Sequence, residues 1–150
     1  MNLSFGFDIA GVKAFNQNTL VVYGDYGLVP SILYSGDGGN SFTLVYHSQY
    51  NDLQLSGGIT DMVFPENNSI GFASDADRVL KTIDGGQNWL MIKDDPQSFF
   101  ESIEATDNNT VFVFNELPRG KPTGYLKKAL TDSNIFSCIH SPFPDFQHIF

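Results

Sequence analysis

The chain has 150 residues, 41% of them hydrophobic and 14% aromatic, enough for a packed core, and only 17% charged, too few for a disordered polyelectrolyte. Eight Lys and Arg stand against 17 Asp and Glu, a net charge of −9. That excess of acid speaks against nucleic acid and anionic membrane surfaces, whose affinity comes from neutralising phosphate, and leaves cations, neutral glycans and basic proteins as partners.

Residues 2–7 alternate like the last strand of a repeat unit. A first unit then reads as four strands at 10–15, 19–23, 31–35 and 41–46. Asn16, Gln17 and Asn18 form an Asx-rich turn between its first two strands, where Asn tolerates left-handed backbone and caps its own turn. Ile32-Leu33-Tyr34-Ser35-Gly36-Asp37-Gly38-Gly39-Asn40-Ser41-Phe42 joins the last two strands. The pattern returns as Val79-Leu80-Lys81-Thr82-Ile83-Asp84-Gly85-Gly86-Gln87-Asn88-Trp89, with Thr82 47 positions after Ser35. A second unit therefore has strands at 59–64, 69–73, 79–82 and 88–92. The third unit, with strands at 100–105, 110–114, 124–129 and 135–139, keeps the flanking apolar residues and Phe136 but has lost the central Asp and both glycines. Residues 146–150 echo 100–104, the opening strand of the third unit.

Four short antiparallel strands per 40–50 residues, with no helical periodicity, predict an all-β fold of β-propeller blades. The three blades span approximately 9–47, 58–93 and 99–140, with terminal strands at 2–7 and 146–150. Three blades do not close a ring, since propellers have about 4–8. The expected completion is the remainder of a longer propeller, or a second copy giving a six-bladed dimer.

The two intact turns resemble the Asp-box, or bacterial neuraminidase repeat, whose pattern is Ser-x-Asp-x-Gly-x-Thr-Trp. Thr82, Asp84, Gly86 and Trp89 match it, as do Ser35, Asp37 and Gly39, with Phe42 in place of Trp. Such boxes occur in sialidases, other glycoside hydrolases, sortilin-type receptors and photosystem II assembly factor-like propellers, and the Asp-Gly-Gly form is most similar to the last. The resemblance implies a structural role for these eight residues. The carboxylate would bind backbone N–H groups, the glycines would take positive φ and the aromatic would pack between blades. It also implies that ligands meet the opposite rim. The motif specifies fold and leaves function open.

On that opposite rim the loops after the second and fourth strands carry Asp25, Tyr26, Tyr50, Asp75, Asp77 and Arg78. Tyrosines offer rigid amphipathic contact, so this set is the candidate surface for a protein or glycan. Two arginines, Arg78 and Arg119, fall short of the three a sialidase needs, and no catalytic residue is assigned. Asp75-Ala76-Asp77 lacks the Gly and Glu of a calcium loop, and His47, His140 and His148 lack metal-ligand spacing, so neither metal nor cofactor is expected. The one cysteine, Cys138, excludes an intrachain disulfide and reads as a small buried hydrophobe. Residues 1–11 have no signal-peptide pattern, and no apolar run approaches the length of a membrane span. These features leave the compartment open.

Overall fold

Alternating apolar residues, bounded by Asx and glycine turns, form extended strands throughout the computed structural model. It describes residues 6–48, 57–75, 77–94, 99–115, 125–130 and 136–139, the last two stretches and Asn115 through their backbone. The first sheet contains β1 (Phe7–Ala14), β2 (Leu20–Tyr26), β3 (Val29–Ser35) and β4 (Thr43–His47). The second contains β5 (Ile59–Val63), β6 (Gly71–Asp75), β7 (Arg78–Thr82) and β8 (Leu90–Asp94). The third contains β9 (Phe100–Asp107), β10 (Thr110–Asn115), β11 (Tyr125–Leu130) and β12 (Phe136–Ile139). Each sheet is a four-stranded antiparallel meander in chain order. The chain is thus all-β and built of partial-propeller blades. Residues 1–5 and 140–150, which include most of one expected terminal strand and all of the other, lie outside the described residues.

One difference from the sequence reading matters for the rim. Residues 24–30 were expected to be a loop, yet Gly24, Asp25 and Tyr26 pair with Ser31, Pro30 and Val29. Only Gly27 and Leu28 connect the strands, with φ of 61° and 69°. Positive φ at both central residues of a two-residue turn matches the right-handed twist of a hairpin, which lets pairing run to its tip. In the second blade Asp75 pairs with Arg78 across an equally tight turn.

Two apolar cores form, each between consecutive blades. Val21, Tyr23 and Ile32 of the first blade meet Ile59, Met62, Ala73 and Leu80 of the second. Phe72 and Val79, from the other face of the second blade, meet Phe100, Ile103, Val111 and Val113 of the third. Burying one such large side chain contributes about 1.5–3 kcal/mol. Alternation along β6 and β7 sends Phe72 and Val79 one way and Ala73 and Leu80 the other, so the central blade is apolar on both faces. Strand β5 packs against both β1 and β9, so the blades converge along their first strands and splay outward.

Polar bonds register the blades at the same seams. Asp61 Oδ2 accepts from Ser102 Oγ at 2.8 Å and from the Ile103 amide at 3.1 Å. Thr60 Oγ1 donates to the Phe100 carbonyl at 3.0 Å. These bonds are specific where the apolar contacts alone would tolerate sliding.

Candidate rim site

The rim carrying the Asp-Gly-Gly turns is held by local hydrogen bonds. In the first blade Ser35 Oγ donates to Asp37 Oδ1 at 2.8 Å and accepts from the Gly39 amide at 2.9 Å. Asp37 Oδ1 accepts from the Ser41 amide at 2.9 Å, and Oδ2 accepts from Ser41 Oγ at 2.6 Å. The second blade repeats the scheme with Thr82, Asp84, Gly86 and Asn88. Gly38 and Gly39 have φ of 72° and 86°, and Gly85 and Gly86 have 73° and 88°, a region open to glycine without strain. The Gly38 and Gly85 amides bond to the Asn18 and Ser69 carbonyls, tying each turn to the Asx turn beside it. Trp89 Nε1 donates to the Gly86 carbonyl at 3.1 Å, and its ring meets Phe64, which meets Phe15 of the first blade. Phe42 lies against Gly39.

These bonds set the charge state of the turns. The Ser41 hydroxyl and amide, with the Ser35 hydroxyl, hold Asp37 down to about 2. Asp84 is also lowered, because partial burial is outweighed by hydrogen bonds from Asn88 and Thr82. Every polar atom of the two carboxylates named here serves the turn, which leaves no group free for chemistry.

At the opposite rim the structure brings Asp75, Asp77 and Arg78 together and adds partners from the first blade. Arg78 Nη1 lies 3.6 Å from Asp75 Oδ2 and 3.7 Å from Asp77 Oδ1, and Nε lies 3.9 Å from Asp94 Oδ1. Arg78 Nη1 also donates to Ser48 Oγ at 3.2 Å, and the Tyr46 hydroxyl donates to Asp75 Oδ2 at 2.9 Å. Asp75 is 1% exposed, Asp77 5% and Arg78 6%. Asp75 Oδ1 is buried without a hydrogen bond. Burial pushes the Asp75 carboxyl up to about 6, against the lowering pull of Tyr46 and Arg78. Burial first, then the neighbouring Asp75 charge, raises the Tyr46 phenol. This cluster fastens β4 of the first blade to β6 and β7 of the second. With Arg78 between them, Asp75 and Asp77 do not face a substrate as a pair of carboxylates.

Asp25 and Tyr26 stand apart from that cluster, on the first hairpin. Asp25 Oδ1 accepts from the Leu28 amide at 2.9 Å and so caps the turn. Tyr26 is 50% exposed, with its ring edge-on to His47 at 6.3 Å. His47 Nδ1 is bonded to Ser31 Oγ at 2.8 Å. Leu28, at the tip, is 69% exposed and has a left-handed backbone, a conformation that costs a non-glycine residue about 1–2 kcal/mol. Sequence reasoning passed over Leu28, Tyr46 and Ser48. An isolated leucine carries no signal for positive φ, and the other two read as ordinary residues of an outer strand and its exit. Tyr50 lies outside the described residues.

No family model matches the sequence, and no curated protein matches it. In three dimensions the chain is similar to YCF48 bound to D1 peptide, with a TM-score of 0.61 at 17% identity, over 92% of this chain and 41% of that one. It is also similar to the Niastella koreensis GH74 enzyme, with a TM-score of 0.60 at 20% identity, over 88% of this chain and 21% of that one. The chain thus spans less than half the length of either protein. One of these neighbours holds a peptide and the other is an enzyme, and at such identities the likeness establishes a shared β-propeller fold alone.

Proposed function

We propose that this chain is a noncatalytic recognition or assembly module of the Asp-box type. It binds a protein segment or a glycan through the rim of the β2–β3 hairpin, and its blades form part of a larger ring. The observation that carries this reading is the hairpin tip, where Tyr26 and Leu28 are half or more exposed and Leu28 is held in a strained backbone. Strain at an exposed apolar tip is retained more readily where the tip makes contact with something. The peptide bound to YCF48 favours a peptide over a glycan as the ligand. The buried state of Asp75 and Asp77 assigns them to holding the rim, while Tyr26, with Asp25 supporting the turn, contacts the ligand.

Arrays of synthetic peptides and of neutral oligosaccharides, probed with the labelled chain, test this reading. Saturable binding that falls at least tenfold in Tyr26→Ala, with an unchanged circular dichroism spectrum, supports it. Binding indifferent to Tyr26→Ala and Leu28→Ser, or no binding to either array, overturns it. Turnover of a fluorogenic glycoside that is lost in a rim Asp→Asn variant establishes a hydrolase instead.

A further inference from the structure

We infer that the outer face of the first blade is a docking surface for the third blade of a second copy of this chain. This rests on the ring reading above and specifies the faces that meet. Strand register makes the three blades directly comparable. Ile9 lies opposite Gly24 as Ile59 lies opposite Asp75 and Phe100 opposite Asn115. Val12 lies opposite Val22 as Met62 lies opposite Ala73 and Ile103 opposite Val113. Leu33 pairs with Leu44 as Leu80 pairs with Met91.

In the second and third blades this face is covered by the blade before it. Ile59, Phe100 and Ile103 are 0% exposed and Met62 is 1% exposed. In the first blade the same positions are open. Around Val22 and Leu33, Ile9 is 57% exposed, Val12 51% and Leu44 49%. A soluble chain rarely leaves such an apolar face uncovered unless it has a partner. The face has the shape and chemistry of the two interblade seams, so what fits it is another blade.

The chain itself carries a matching face at its other end. Val21 in β2 and Phe72 in β6 project toward the following blade, and Phe112 occupies the same register in β10. Phe114, on that side of the third blade, is 43% exposed. A second copy can therefore place Phe112 and Phe114 against Ile9, Val12 and Leu44. Its own first blade then receives the third blade of the first copy. Two such contacts close six blades around a two-fold axis, within the usual number for a propeller.

The test is the solution mass of the full 16.6 kDa chain by light scattering, in about 0.15 M salt to screen the net charge of −9. The expected mass is twice that of one chain. Val12→Asp and Phe114→Asp, both at partly exposed positions, each halve the mass with the circular dichroism spectrum preserved. Mixing the two variants restores a dimer, because each then supplies one intact face. A monomeric natural chain overturns the inference, as does an open-ended series of larger species. A dimer unaffected by Phe114→Asp also overturns it, since two first blades would then be packing on each other. Tyr26→Ala leaves the mass at twice one chain, so failure of the rim reading and failure of the ring contact are told apart.

Discussion

The two rims of this molecule use aspartate in opposite ways. Asp37 and Asp84 sit in turns where hydroxyls and amides are aimed at a carboxylate that stays in reach of water, and their ionised form is favoured. Asp75 sits at a seam between blades, where burial outweighs its two partners and the neutral form is favoured up to about pH 6. The first kind is a local device, complete within a few residues. The second is a tertiary device, which exists only when Tyr46 and Ser48 of one blade reach Asp75 and Arg78 of the next. A carboxylate's environment, and not its residue type, decides whether it stabilises the fold by being charged.

Breaking the tertiary device has the largest expected effect. Arg78→Met leaves two buried carboxylates without their cation and is expected to lower unfolding stability by about 3–5 kcal/mol, read from urea unfolding. An effect below about 1 kcal/mol would show that the cluster is solvated and not a seam.

Next is a contrast in pH dependence. The folded-state pKa of Asp75 is raised from 3.8 to about 6. Its contribution to stability is therefore fully present below pH 3.8 and is lost as pH rises through about 6. Relative to Asp75→Asn, the natural chain should lose about 2–3 kcal/mol between pH 4 and pH 7. Parallel stability curves for the two proteins would remove the claim that burial governs Asp75.

A smaller difference separates the two Asp-Gly-Gly turns. Gly86→Ala combines a positive φ with a methyl group 2.7 Å from Val21 Cγ2 of the first blade, whereas the methyl of Gly39→Ala meets nothing nearer than 3.7 Å. The first substitution is expected to cost about 2–3 kcal/mol and the second about 1 kcal/mol by chemical denaturation. Equal losses would mean that backbone strain alone is being measured.

The smallest expected effect is on the acid side. Asp37 is lowered to about 2, so its contribution is present above pH 3.8 and is lost as pH falls toward 2. Asp37→Asn should flatten the acid limb of the stability curve without changing its slope near pH 6, the reverse of Asp75→Asn.

Much of the fold was legible because repetition supplies its own check. The two Asp-Gly-Gly turns, the Asx turns before them and the spacing between them predict four strands per unit, and the sheets β1–β4 and β5–β8 follow that order. The candidate site was legible only in part. Ser74-Asp75-Ala76-Asp77-Arg78 reads as a polar loop on the surface, because nothing within those five residues announces the Tyr46 hydroxyl above them. Asp25 reads equally well as a ligand contact or as a turn cap, and the 2.9 Å bond from the Leu28 amide assigns it the second role.

The sequence by itself determined what depends on neighbours along the chain. Period-two apolar alternation makes strands, Asx and Asp-Gly-Gly segments make turns, and their recurrence makes blades. The tertiary structure decided what depends on the approach of one blade to another. It set which acids are buried, which hairpin tip stands exposed, and which apolar face remains open where the first blade has no neighbour. The physical reason is distance. Turn hydrogen bonds join residues two to four positions apart, whereas the Tyr46–Asp75 and Ser48–Arg78 contacts join residues about thirty apart, which only packing brings together.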